Sequence, residues 1–206
     1  MDTETYALTL PNAVMKAAFS AVLPAACKDT SRPNLCAVHL DVDGDTTHLV
    51  TTNGHQLYVY DVPTKDAWHE GAKPKQGIQL SIDCTKAIIA GAKKDKRGGT
   101  TLELVLGDKP TATIVRGDTQ QTFPLVDHDF PPWRKVVPDF SSKQAMEHPV
   151  AIDFQYLAMV AAAFKAADPD EPAVTIHCDS DHRGPVLFRN PDVPLRCVVM
   201  QRRLDN

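Results

Sequence analysis

The apolar positions of this chain fall into one pattern written three times: a short strand, an alanine-rich helix, then two or three strands of alternating character. The first copy opens on Tyr6-Ala7-Leu8-Thr9-Leu10 and turns at Pro11-Asn12. Val14, Met15, Phe19, Val22 and Leu23 then recur at helical spacing, and Pro24 is expected to kink or end the run. Next, Cys36, Val38, Leu40 and Val42 alternate with Ala37, His39 and Asp41, the period-two signature of a strand. Asp43-Gly44-Asp45 turns the chain into a partner strand over residues 47–52. Asn53-Gly54, two residues that tolerate positive φ, turns it again into a third strand over 56–62.

The second copy starts at Gly77-Ile78-Gln79-Leu80-Ser81-Ile82, and Asp83 is expected to cap a helix that carries Ile88, Ile89 and Ala92 and ends at Gly98-Gly99. Leu102, Leu104 and Leu106 alternate with Thr101, Glu103 and Val105; Gly107-Asp108-Lys109-Pro110 turns; residues 111–116 return; and Gly117-Asp118 leads into a strand over 120–126. The third copy has a leading strand at Pro149-Val150-Ala151-Ile152 and a helix from Asp153 through Tyr156, Leu157, Val160 and Phe164, stopped by Asp168-Pro169-Asp170. Strands follow over 174–178, 186–189 and 195–200. Residues 63–76 and 127–148 lack a period and read as connectors, the second as the linker between domains. Its Phe130 and Trp133 predict packing against something, in the plainest reading their own domain.

A chain of 206 residues with 43% hydrophobic content supports one large domain or two small ones with a real core. Cys27, Cys36, Cys84, Cys178 and Cys197 are an odd number without tight spacing, and the first ten residues have neither a basic start nor a long apolar run. Both features predict a reducing, cytoplasmic location without a signal peptide. Apolar runs stop well short of eighteen residues, so no membrane span is expected. The net charge of −4 and a pI near 6.0 exclude a protein that grips DNA by bulk attraction, but not one that encircles it with a local positive lining. No nucleophile elbow, phosphate loop or His-Glu-x-x-His run is present, so no catalytic residue and no cofactor is expected. His177-Cys178 with His182 and Cys197 comes nearest to a metal set. Neighbours on a strand point to opposite faces, however, and the spacing matches no zinc site. Asp179-Ser180-Asp181 lacks the glycine and glutamate of a calcium loop in register.

Two stretches carry a more specific signal: Thr51-Thr52-Asn53-Gly54-His55-Gln56-Leu57, and Cys197-Val198-Val199-Met200-Gln201-Arg202-Arg203-Leu204. With Phe123-Pro124-Leu125 and Asp129-Phe130-Pro131 between them, they resemble, in order, the bacterial sliding clamp, the DNA polymerase III beta subunit. Residues 4–138 resemble its middle domain and residues 149–204 the second half of its last domain. The expected organisation is therefore a complete clamp-like domain over 1–138 and a half domain over 139–206. The resemblance implies an α+β DNA-clamp fold of repeated strand–helix–strands half-units, whose helices line a hole around double-stranded DNA and whose sheets form the outer wall. It implies no enzyme but a processivity factor, a homo-oligomer that binds DNA polymerase, repair proteins and a clamp loader through short linear peptides. The matching pocket residues are Leu35, Thr52, Gly54, His55, Leu57, Pro138, Val198, Val199, Met200 and Leu204; Leu35, Leu57, Val198 and Val199 read equally as strand core. The matching DNA-facing residues are Lys16, Lys86, Lys93, Lys94, Lys96, Arg97 and Lys165. Residues 93–97 read equally as a solvated helix end.

The departures are Asn53 and Gln56, where the family has Asp and Arg, and Gln201 with Arg202 in place of Pro and Met at the pocket lip. Three half-units also leave one unpaired, which predicts that third halves from two chains join into a shared domain. The competing reading is a clamp-like interaction protein of a phage or mobile element that binds replication proteins without closing a ring.

Overall fold

The computed structural model describes residues 3–95, 97–137, 150–170, 173–178 and 184–201. The first unit is β1 (Glu4–Pro11), α1 (Asn12–Val22), β2 (Ala37–Asp43), β3 (Thr46–Thr52) and β4 (Gln56–Pro63). The second is β5 (Ile78–Ser81), α2 (Ile82–Lys94), β6 (Gly99–Leu106), β7 (Thr111–Arg116) and β8 (Thr119–Pro124). The third is α3 (Phe154–Ala167), β9 (Thr175–His177), β10 (Pro185–Asn190) and β11 (Val193–Met200).

Leading strands are exchanged between the first two units. β1 pairs antiparallel with β6, giving the sheet β1-β6-β7-β8, and β5 pairs antiparallel with β2. The third unit joins through its last strand, because β11 pairs antiparallel with β4 and extends the second sheet to β5-β2-β3-β4-β11-β10-β9. An isolated bridge between Leu80 and Leu125, with the Val126 N–H donating to the Gln79 carbonyl at 3.0 Å, ties the two sheets into one wall. The helices form a row on one side of it, with α1 packed against both α2 and α3.

Side-chain alternation divides the sheet. Leu49, Tyr58, Tyr60, Leu195, Cys197 and Val199 enter the main core with Met15, Phe19, Ile88 and Phe164 of the helices. Val50, Leu57, Val59, Leu187 and Val198 point outward into a second cluster closed by Trp133. The connector after β8 thus packs on its own sheet. The Trp133 indole N–H donates to Asp41 Oδ2 at 2.9 Å, Arg134 pairs with Asp41 and stacks over the Trp133 ring, and Phe130 lies flat on His39 with centroids 4.4 Å apart.

Several local expectations are corrected. Ser81, not Asp83, caps α2, since its Oγ accepts the Cys84 N–H at 3.2 Å; Asp83 sits one residue inside the helix start, where a carboxylate still meets the positive dipole end. α2 stops at Lys94, with Asp95 as C-cap, before the two glycines. Asn12 starts α1 rather than a turn, and it is buried, holding Asp95 O at 2.8 Å and Thr100 Oγ1 at 2.5 Å. Only Gly54 of the Asn53-Gly54 pair has positive φ. Residues 150–152 form no strand; Val150 and Ile152 instead pack half-buried against the main core.

Burial pushes the His39 imidazole down to about 4 from its ordinary 6.5, with Asp41 opposing and Arg134 reinforcing the shift. The native ring therefore stays neutral where the unfolded ring takes a proton. Stability is full above pH 6.5 and falls as pH drops from there through about 4, by up to about 3 kcal/mol. We expect His39→Phe, which keeps the stack on Phe130, to flatten urea-unfolding stability between pH 7 and pH 4.5. An undiminished acid loss in that variant would place the titrating group elsewhere.

Candidate functional site

The corner between β3 and β4 is fixed by its own side chains. Thr52 Oγ1 donates to the Gln56 carbonyl at 2.8 Å and accepts the Gly54 N–H at 3.1 Å, while Asn53 Oδ1 accepts the N–H groups of His55 and Gln56 at 3.0 and 3.1 Å. Gly54 stands at φ +91°, a conformation L side chains rarely adopt. Arg32, at the start of the 3₁₀ turn Pro33–Leu35, donates to the Asn53 carbonyl at 3.3 Å and so braces the corner from outside. Leu35 is buried within that turn.

β11 then runs alongside. Val198 lies opposite Leu57 and Val199 opposite Gln56, and the Met200 N–H donates to the His55 carbonyl at 2.9 Å. Since alternate residues share a face, Leu57, Val198 and Met200 line the outer side of the sheet, while His55, in the turn before β4, borders a cleft with Pro24, Cys27, Arg32 and Met159. Leu57 and Val198 are buried beneath Trp133 with Val137 beside them, whereas His55 is exposed and Met200 is 45% exposed. The result is an apolar cluster closed over at Leu57 and Val198, with the exposed Met200 thioether at its open end. Val199 points the other way, into the main core, beside Gln56, whose amide reaches Met159 Sδ at 3.6 Å. Pro138 and Leu204 lie outside the described residues. Trp133 and Arg32 escaped the sequence reading of this corner. The clustered aromatics before residue 134 were a signal for the first; nothing in the sequence marks the second.

On the opposite side of the molecule, the sheet-averted flank of the helix row carries the cations. Counted from the helix starts, Lys16 and Lys86 occupy the same fifth position in α1 and α2, and Lys93 and Lys165 the same twelfth position in α2 and α3. All four are exposed, as are Lys94 and Arg97. Asp83 lies 3.7 Å from Lys86, an exposed pair worth well under about 1 kcal/mol. Lys93 and Lys94 also complement the dipole of the last turn of α2. Lys96 lies outside the described residues.

The wall of joined sheets with a row of helices behind it is the architecture of a DNA sliding clamp. The chain superposes on DNA polymerase III subunit beta from Pseudomonas aeruginosa with a TM-score of 0.77 at 16% identity, covering 96% of this chain and 66% of that one. It superposes on the Borrelia burgdorferi protein, solved in complex with a natural product, with 0.76 at 12%, covering 97% and 63%. In sequence it is 28% identical over 147 residues to the beta sliding clamp of Micrococcus luteus, covering 70% of this chain and 44% of that protein. Against the beta sliding clamp of Synechocystis it is 30% identical over 120 residues, covering 58% and 30%. No family model matches. The chain is similar to the bacterial beta sliding clamps over part of their length: it spans less than half the length of the two sequence relatives and about two thirds of the solved chains.

The corner separates residues that hold the fold from residues that are free to bind. Leu57→Ala should cost about 2–5 kcal/mol by opening the outer cluster, and Gly54→Ala about 1–2 kcal/mol through its positive φ. Met200→Ala should stay within about 0.5 kcal/mol. Urea unfolding checks all three; a large loss at Met200 would mark it as core.

Proposed function

We propose that the chain is a sliding-clamp platform: a cytoplasmic homo-oligomer that encircles double-stranded DNA and holds DNA polymerase or repair proteins there through short linear peptides taken at the corner of β4 and β11. It performs no chemistry. A tether raises the partner's effective concentration at the template, and that alone increases the number of steps taken per binding event. The observation that carries this reading is the outer row of Leu57, Val198 and Met200: apolar side chains already ordered by strand pairing, with the exposed Met200 at the open end. Apolar residues already ordered in this way bind a peptide's apolar anchors at little ordering cost. Gln201 stands at the same lip, and the polar substitution there favours peptides with polar or acidic residues beside their anchors.

The equivalent lysines on the helix row support the DNA-facing assignment, because sparse cations on an acidic protein attract the phosphate backbone without fixing a register. The competing reading is a clamp-like protein that captures replication proteins and never encloses DNA. A loader that opens the ring is implied only by the first.

Fluorescence anisotropy with a labelled clamp-binding peptide is the test. Met200→Ala should weaken binding about tenfold with unfolding stability unchanged, whereas equal affinity in both proteins would remove the pocket assignment. Replacing Lys16, Lys86 and Lys93 together by Gln should shorten retention on circular DNA at low salt and change it little at high salt. Retention unchanged at low salt would return these lysines to the role of solvated helix surface.

A further inference from the structure

Two thiols converge beside the β3–β4 corner. Cys27 Sγ lies 3.8 Å and Cys36 Sγ 3.2 Å from the same acceptor, the Asp29 carbonyl oxygen. The backbones that carry them are joined as well, because the Cys27 N–H donates to the carbonyl of Leu35, the residue before Cys36, at 3.1 Å. A disulfide requires close α-carbons and side chains that point together. The backbone contact supplies the first condition and the shared oxygen the second. Cys84 and Cys197, by contrast, lie fully buried in the main core on α2 and β11, away from any oxidant in water.

The pair can be reached from solvent. Cys36 is half-buried, and Cys27, although buried itself, borders a cleft of about 240 Å³ shared with Arg32, His55 and Met159. Burial first and the Cys27 thiol second raise the Cys36 thiol above its ordinary range, with Asp29 adding to the shift and Arg32 opposing it. Little thiolate is present near neutral pH, so exchange at this pair is slow rather than absent.

The loop between the two thiols is the one that braces the corner. Its turn is held by the Arg32 N–H on the Asp29 carbonyl and the Ser31 N–H on Asp29 Oδ1, both at 3.0 Å. Arg32 then reaches the Asn53 carbonyl at 3.3 Å, with its side chain 46% exposed and only an exposed ion pair to Asp29, 3.5 Å long, to steady it. A cross-link between the loop ends removes freedom from this brace without entering the outer face of Leu57, Val198 and Met200.

We propose that Cys27 and Cys36 form a reversible intramolecular disulfide that fixes the Arg32 loop against the β3–β4 corner. The oxidant is a low-molecular-weight disulfide, glutathione disulfide in the test below. The Cys36 thiolate attacks one sulfur of that disulfide, whose S–S bond breaks to release one glutathione. The Cys27 thiolate then attacks the Cys36 sulfur of the mixed disulfide and expels the second. Two cysteine thiols lose two electrons and two protons, and the glutathione disulfide takes them up as two thiols. In a reducing compartment such a bond is transient, the form in which regulatory disulfides occur there. Its consequence for binding rests on the peptide-corner reading above: a corner fixed in advance takes its peptide more tightly.

Equilibration of the full chain in glutathione buffers of graded ratio, followed by acid quench, intact mass and peptide mapping, tests this. The expected product is lighter by about 2 Da, the two hydrogens lost. It carries one Cys27–Cys36 link that dithiothreitol reverses, shows slower amide exchange at residues 28–35 and 53–55, and binds a labelled clamp-binding peptide about threefold more tightly. Cys36→Ser should show none of these changes and keep the affinity of the reduced chain. A chain that stays reduced at every ratio, stops at the mixed disulfide or links other cysteines would overturn the proposal, as would a Cys27–Cys36 bond that leaves amide exchange in both segments unchanged. Equal peptide affinity in the two forms, with Met200→Ala still weakening it, would overturn the coupling to binding. Failure of both forms to bind peptide removes the corner assignment instead, and the mass and exchange readouts still decide the disulfide.

Discussion

The backbone ladder between β4 and β11 is the interaction on which the rest of this molecule depends. It is the seam that joins the third unit to the first, and it sets which side chains face which way on both strands. In the observed register Val198 meets Leu57 on the outer face while Cys197 and Val199 enter the main core. A slip of one residue would exchange these sets, burying Met200 and turning Cys197 and Val199 to solvent. The core behind the sheet and the apolar cluster in front of it therefore rest on a single register. The corner at residues 52–56 helps fix that register, because its self-satisfied turn presents the His55 carbonyl to the Met200 N–H.

The division of labour between the two sides of the wall follows from that seam. The outer side concentrates apolar residues at one place and lets Trp133 close most of them over, leaving the open end beside Met200. The inner side sets three helices in a row, so that lysines at equivalent helical positions recur across the surface. Positive charge is thus positioned by the repeat within a chain whose net charge is −4.

Much of this was legible in the sequence because both periods are strong. Strict alternation at residues 36–42 and 101–106 and helical spacing in the first helix gave elements where the structure has them. Thr52-Asn53-Gly54 announced its turn, and the aromatics at 130 and 133 announced that the connector is packed. What escaped depended on contacts between distant segments. The exchange of β1 and β5 leaves no local trace, because pairing partners are chosen by the shape of the whole sheet. Residues 150–152 carry a strand-like sequence yet form none, because strand pairing is decided by distant segments and their apolar side chains pack on the main core without it. Ser81 and Asp83 are both good cap residues, and only the observed hydrogen bond chooses between them. At the candidate site, period two already separates Val198 from Val199. The bracing of the corner by Arg32 could not be read, since a lone arginine in a polar loop has no pattern.

The central claim is that the outer corner of β4 and β11 receives a linear peptide, and a titration of the isotope-labelled chain with a clamp-binding peptide followed by nuclear magnetic resonance tests it most directly. The account predicts saturable shifts confined to His55, Leu57, Val198, Met200 and the Trp133 indole. Shifts centred instead on α3 and β9, or no shift at saturating peptide, would contradict it.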